Sequence, residues 1–304
     1  MSNITLAPIL LFAYKRLDTL TRTVAALQQN YLAKQSELFV FSDAAKTSSD
    51  VTEINEVRKF LKTITGFKNI EIYESDKNKG LSNSIISGVT QVINKYGKVI
   101  VLEDDLLTST NFLSYMNEGL EHYKTNQQVF SISGYSYQLK VDNKKDIYFT
   151  KRGSSWGWGT WKEKWEKVDW EVKDYDEFKK SSTLQKDFNK MGSDLSSMLK
   201  KQMDGKMDSW AIRWCYHQFK HNLYSVYPSV SKVKNIGFGD GATHTFDYFN
   251  RYETSLDESG KLNFIFGDPY IDKKIVNAFL VQFSLYTRAK YKVLNTIAPL
   301  IIKR

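Results

Sequence analysis

Val99-Ile-Val-Leu-Glu-Asp-Asp-Leu106 is the stretch on which the reading of this chain turns. Four apolar residues without polar alternation, Val99 to Leu102, predict a strand buried on both faces, as in a parallel sheet. The strand runs directly into Glu103, Asp104 and Asp105. Three adjacent carboxylates repel one another, and that cost needs an offset. A divalent cation supplies one, because Mg2+ and Mn2+ prefer hard oxygen ligands and are commonly held by carboxylates together with substrate phosphates. The plainer alternative is a solvated acidic loop. Placement at the end of a buried strand favours the metal site.

Upstream of this strand the pattern alternates. Residues 8–14 (PILLFAY), 38–42 (LFVFS) and 70–73 read as three more strands. Helical spacing separates them: about 18–30, opened by Asp18 as a cap; about 51–64, stopped by Gly66; and a third helix from the Asn78-Lys79-Gly80 turn to about Tyr96. This βαβαβαβ order predicts a mostly parallel sheet with helices on both faces. Such sheets bind ligands at the carboxyl ends of their strands, where Arg16, Asp43 and the acidic triplet would share one rim. No GxGxxG follows the first strand, which argues against a dinucleotide cofactor.

Downstream, a helix is expected over about 111–124 and a short strand at 129–133, followed by Trp156, Trp158, Trp161, Trp165 and Trp170 interspersed with glycines. Residues 171–206 are polar and predict exposed helices and loops. Asp208 opens an aromatic helix to about His221, residues 224–232 look extended, and Gly237-Phe-Gly-Asp-Gly-Ala-Thr-His244 is a glycine-rich loop. Three segments are expected: 1–105 as the regular strand–helix half, 106–250 as the looser half, and 251–304 as a basic helical end.

The 304 residues carry 43 Lys+Arg against 34 Asp+Glu, a net charge of +9. With 41% hydrophobic and 25% charged residues the composition is that of a globular protein, not a disordered or fibrous one. One cysteine, Cys215, closes no intrachain disulfide, and four histidines make a Cys/His zinc site improbable. The charge is uneven: after Asp272 there are seven basic residues and no acidic one, so residues 1–272 carry only +2. That placement argues against nucleic acid as a partner and for a local basic surface. No segment reaches the ~18 apolar residues of a membrane span, and no signal peptide is expected. A cytoplasmic location follows as the expectation.

With residues 8–16, Asp43 and residues 99–106 in this order, the chain resembles the GT-A glycosyltransferases, α/β proteins that bind nucleotide-sugars. It is most similar to the N-acetylglucosaminyltransferase I-like branch, through the EDD-Leu motif, Asn111-Phe112-Leu113, Gly157-Trp158, Asp208-Ser209-Trp210, Pro228-Ser-Val-Ser-Lys232 and the loop ending in His244. The resemblance spans about residues 7–245. It implies that Asp105 coordinates Mn2+ or Mg2+ at the donor diphosphate and that Glu103 and Asp104 contact ribose and sugar. It further implies that Asp43 accepts a hydrogen bond from uracil, that Arg16 lies near the nucleotide, and that Thr243 and His244 close on the phosphates. Asp208 aligns with the catalytic base, although Ser209 stands where the related pattern has a second acid.

The chemistry asks for these parts on its own account. Expelling a diphosphate needs stabilisation of developing negative charge, and an acceptor hydroxyl needs a positioned base. Other readings of single residues stay open: Asp208 as a helix N-cap, His244 as a loop histidine, Asn83 with the 78–80 turn as base or phosphate contact or as an ordinary helix start. His217 and His221 read as packing or solvent residues. Most of the tryptophans read as core, with Trp156 and Trp158 as candidates for the acceptor site. Residues 273–304 combine apolar side chains with Lys and Arg, which suits an anionic membrane surface or, alternatively, a terminal helix docked on the body.

The expected activity is metal-dependent, inverting transfer from a UDP-sugar, UDP-GlcNAc first, to a polyprenyl-linked saccharide. The setting would be synthesis of a bacterial surface polysaccharide such as lipopolysaccharide, peripherally on the inner face of the cytoplasmic membrane. The rivals are a sugar-nucleotide nucleotidyltransferase, whose glycine-rich loop after the first strand is missing here, and a non-enzymatic membrane- or nucleic-acid-binding module.

Overall fold

The computed structural model describes residues 5–141, 145–238 and 249–301. Its first half follows the sequence pattern closely. Strands β1 (Ile9–Ala13), β2 (Glu37–Ser42), β3 (Asn69–Glu74) and β4 (Lys98–Glu103) alternate with helices α1 (Leu17–Gln28), α2 (Val51–Leu61) and α3 (Leu81–Tyr96). They form a parallel sheet in the order β3-β2-β1-β4. The continuous apolar runs are explained by burial on both sides. Ile9 and Leu11 of β1 and Ile100 and Leu102 of β4 join the core under α1 and α2. Leu10, Phe12, Val99 and Val101 join the core under α3. Asp18 lies within the first turn of α1 and does not cap it; Arg16 holds the cap position.

The second half adds β5 (Leu106–Thr108), α4 (Phe112–His122), β6 (Val129–Ser133), β7 (Ile147–Thr150) and β8 (Trp158–Trp161). Short helices α5 (Lys162–Trp165), α6 (Tyr175–Lys180), α7 (Ser182–Phe188) and α8 (Leu195–Met203) lead to α9 (Trp210–Lys220), β9 (Tyr224–Pro228) and β10 (Val233–Asn235). The sheet extends as β4-β8-β6-β9-β7, with β8 and β7 antiparallel to the rest. The expected mostly parallel sheet is thus present, with two reversed strands that the glycine-interrupted Trp run and residues 147–150 did not announce. Gly159 makes the β4–β8 contact possible: a Cβ there would lie 2.9 Å from the Val99 carbonyl oxygen. Residues 171–206 are less exposed than expected, since Val172, Phe178, Phe188, Leu195 and Leu199 form a small core with Ile212, Cys215 and Tyr216 of α9.

The chain ends in α10 (Lys273–Leu280) and α11 (Leu285–Ile301). Asp272 caps α10 through the amides of Lys274 and Ile275. Ile275, Phe279 and Phe283 enter the main core, with Phe279 edge-on to Tyr137 and Tyr227. The first part of the basic end is therefore docked on the body. Along α11, Leu285, Tyr286, Val293 and Ile297 are exposed, as are Lys290 and Lys292. Among the described residues no helix is long and apolar enough to cross a membrane.

Candidate active site

Three strand ends meet at one rim because β1 lies between β2 and β4. Register pairs Ala13 with Ser42 and Phe12 with Glu103, so the residues that follow, Tyr14 to Arg16, Asp43, and Asp104 with Asp105, emerge side by side. The Arg16 Nη2 lies 2.6 Å from Asp104 Oδ1 and 2.8 Å from Asp105 Oδ2, one nitrogen bridging two carboxylates. The Tyr14 amide donates to Asp104 Oδ2 at 3.1 Å. Burial alone would lower the Arg16 guanidinium, but Asp104 and Asp105 outweigh it and hold it well above its ordinary range. Burial raises Asp104 against the pull of Arg16. Burial, then Asp105 and Asp104, push Glu103 up to about 8. The repulsion inferred from the sequence is thus relieved here by one guanidinium, while burial beside two carboxylates favours the neutral form of Glu103.

A second layer closes over this acid pair. The strand β10 pairs antiparallel with β5, Asn235 opposite Leu106. The Ile236 amide then donates to the Asp105 carbonyl at 2.8 Å, and Asn235 Nδ2 approaches Asp105 Oδ1 at 3.4 Å. Gly237 lies directly over the carboxylate: a Cβ at this position would stand 2.1 Å from Asp105 Oδ2 and 2.9 Å from Arg16 Nη1. The sequence marked Gly237 as the start of a glycine-rich loop. It carried no local signal that residues 233–237 would cover Asp105, which follows from pairing with β5.

Asp43 organises the start of α3. Its Oδ1 accepts from the amides of Ala44 (2.9 Å) and Lys79 (3.0 Å), and its Oδ2 from Gly80 (3.0 Å). Three donors on one carboxylate leave space for about one more. Asp43 also lines a cleft of about 420 Å³ with Phe41, Ile72, Tyr73, Lys79 and Ser84. Asn83 is exposed on the first turn of α3 and donates to the Lys79 carbonyl at 3.1 Å.

Asp208 corrects one expectation. Its own helix is capped by Ser209, whose Oγ accepts from the Ile212 amide at 3.3 Å. The Asp208 carboxylate instead reaches across to α3 and accepts from the Ser82 amide at 3.3 Å, beside Gly80. Asp208 is exposed and shares the α3 N-terminus with Asp43. An N-cap reading was right about the chemistry and wrong about the helix.

The two tryptophan candidates separate. Trp156 is half-buried and packs edge-on to Tyr135, Phe238 and Tyr252, which brings it next to the Gly237 cover. Trp158 is 1% exposed and lies among Trp165, Trp210 and Trp214. It is a core residue, and the acceptor-facing expectation fails for it because β8 is an interior strand. His217 and His221 pack ring to ring at 4.4 Å, and His217 stacks on Phe130. Thr243 and His244 lie outside the described residues.

Among the described residues no three Asp, Glu, His or Cys side chains converge as a metal cage. The donor set nevertheless fits a divalent cation in one specific way. Asp105 offers hard carboxylate oxygens at a spot that already holds positive charge, and substrate phosphates would complete the shell.

A parallel sheet of this order with an acid pair at the end of β4 is the arrangement expected of a GT-A fold glycosyltransferase. The chain belongs to glycosyl transferase family 2, whose model matches residues 9–185. Solved structures similar to it include the mannosyltransferase PcManGT from Pyrobaculum calidifontis in complex with GDP-Man and Mn2+. That structure shares 10% identity over 52% of this chain and 46% of its own, with a TM-score of 0.34. S. aureus TarS 1–349 shares 11% identity over 52% and 47%, with a TM-score of 0.35. The chain thus spans less than half the length of each. No curated protein matches significantly.

Proposed function

We propose that this glycosyltransferase moves a sugar from a UDP-sugar, UDP-GlcNAc being the first to test, with inversion at the anomeric carbon and dependence on Mn2+ or Mg2+. The observation that carries the reading is the buried pair Asp104 and Asp105, gathered around one cation at the rim beside the α3 N-terminus. In this reading Asp105 holds the divalent cation together with the donor diphosphate, whose developing charge the cation stabilises as the bond breaks. Glu103 and Asp104 face ribose and sugar. Arg16 lies by the nucleotide, with Asp43 lining the cleft that takes the base and Asn83 on the first turn of α3 beside it. Thr243 and His244 approach the phosphates, and Trp156 borders the acceptor. Asp208 takes the proton of the acceptor hydroxyl; attack from the face opposite the diphosphate inverts the centre.

The acceptor in this reading is a polyprenyl-linked saccharide of a bacterial surface polysaccharide, reached at the inner face of the cytoplasmic membrane. The support is α11, where Leu285, Tyr286, Val293 and Ile297 share exposed surface with Lys290 and Lys292 and no acidic residue intervenes. Membership in a glycosyltransferase family sets aside the nucleotidyltransferase and the non-enzymatic module.

A thermal-shift screen of UDP-, GDP- and other nucleotide-sugars with Mn2+ tests the donor, since a bound ligand raises apparent stability by mass action. The expected result is stabilisation by UDP-sugars with Mn2+ that Asp105→Ala abolishes. Equal stabilisation of Asp105→Ala would remove the metal role, and a retained product configuration would remove the single displacement.

A further inference from the structure

Arg16 sits against the carboxylate that the reading above assigns to the metal. Its Nη2 contacts Asp105 Oδ2 at 2.8 Å, and Gly237 packs against the same oxygen. A divalent cation on that oxygen would stand at contact distance from the guanidinium, two positive charges that repel in a partly dry site, so the two compete for Asp105. The two aspartates are not equivalent once Arg16 leaves. Asp104 keeps the Tyr14 amide, whereas Asp105 keeps only the long contact from Asn235 among the described side chains. Asp105 is therefore the carboxylate that Arg16 can vacate. A freed guanidinium presents a planar fork of donors suited to phosphate oxygens.

We propose that Arg16 is a resident counter-cation that withholds Asp105 from a divalent metal until a nucleoside diphosphate draws the guanidinium away. The statement rests on the reading of Asp105 as the metal residue and extends it to the order of events. Metal alone must displace Arg16 from Asp105 with no replacement partner for the guanidinium, so it binds weakly. A diphosphate supplies Arg16 with a replacement partner and supplies the metal with phosphate oxygens. Binding of the one then strengthens the other by the same factor in both directions. The device keeps the acid pair neutralised in the empty enzyme without a captured metal.

The test is a titration of Mn2+ followed by electron paramagnetic resonance, with and without UDP, on wild type, Arg16→Gln and Arg16→Lys. In wild type, Mn2+ alone should bind weakly and UDP should tighten it at least about tenfold. In Arg16→Gln, Mn2+ alone should bind about tenfold tighter than in wild type, and the effect of UDP should shrink accordingly. Arg16→Lys keeps the charge and should retain weak binding of Mn2+ alone. An Arg16→Gln protein whose Mn2+ affinity and UDP effect match wild type overturns the proposal. So does a wild type whose Mn2+ affinity is indifferent to UDP, a result that stands even should Arg16→Gln fail to fold. If no variant binds Mn2+ with or without UDP, the reading of Asp105 as metal residue fails first and takes this inference with it.

Discussion

Adding one methyl group at Gly237 should disable the site while sparing the fold. A Cβ there would stand 2.1 Å from Asp105 Oδ2 and 2.9 Å from Arg16 Nη1. Carbon and oxygen in ordinary contact sit about 1 Å farther apart than the first of these distances, and a displacement of that size at a reacting centre can cost about 10²-fold in rate. The atoms in the way are side-chain tips. The Asp105 carboxylate can turn and Arg16 can swing, so the overpacking cost should fall near the lower end of the usual ~1–3 kcal/mol. Turning the carboxylate breaks the 2.8 Å contact with Arg16 and re-aims the oxygens. Gly237→Ala should therefore lose about 10²-fold in kcat/KM, equivalent to ~2.7 kcal/mol of transition-state stabilisation, with a nearly unchanged melting temperature. The control is Gly267→Ala, because a Cβ at Gly267 meets no heavy atom within 4 Å. The assay is steady-state transfer with the donor found by the screen, beside a thermal melt. Activity of Gly237→Ala within about threefold of wild type would refute the reasoning, as would equal losses in both variants.

Three further outcomes are expected. Asp208→Asn keeps an oxygen for the Ser82 amide, so donor binding should persist while transfer slows by at least ~10²-fold; near-normal turnover removes Asp208 as base. Lys232 and Asp257 form a buried ion pair, with Asp257 also accepting from Asn111 at 2.9 Å, and although burial alone would raise the Asp257 carboxyl, these partners hold it well below its ordinary range. Lys232→Met should cost ~3–5 kcal/mol in urea unfolding, with much of that loss recovered when Asp257 is replaced by Leu as well; an unrecovered loss would show that the packing, not the stranded charge, matters. Burial, then His221 and Lys220, push His217 down to about 4 from 6.5, with Lys167 acting the same way and Asp169 opposing. The unfolded chain then takes up a proton that the folded one refuses, so stability should fall as pH drops below 6.5, by about 2 kcal/mol at pH 5. Comparing urea midpoints at pH 7.5 and 5 in wild type and His217→Phe checks this; equal pH slopes would contradict it.

The parallel half was legible because its signals are local. Interior strands must be apolar throughout, and the Asn78–Gly80 turn and Gly66 punctuate the helices between them. The shared rim of Arg16, Asp43 and the acidic triplet followed from strand order alone, whereas the choice of Asp105 within the triplet came from the family resemblance. What was not legible depends on partners far away in sequence. Arg16 and Asp104 lie 88 residues apart and meet because β1 borders β4. Gly237 covers Asp105 only because β10 finds β5. The strand β8 reads as a glycine-broken Trp run, yet its glycine is what lets it approach β4. Trp158 and Trp156 look alike in sequence, and only the side of the sheet on which each falls separates core from rim.

The position of β8 has a consequence for synthesis. In the finished sheet β4 is flanked by β1 and β8, but β8 lies some 55 residues later in the chain and runs the opposite way. Until residues 158–161 have left the ribosome, the unpaired N–H and C=O groups of the largely apolar strand β4 are an open edge able to pair with another nascent chain. The acidic triplet at its end then places acidic groups beside that edge, where they oppose pairing with a second copy of the same edge.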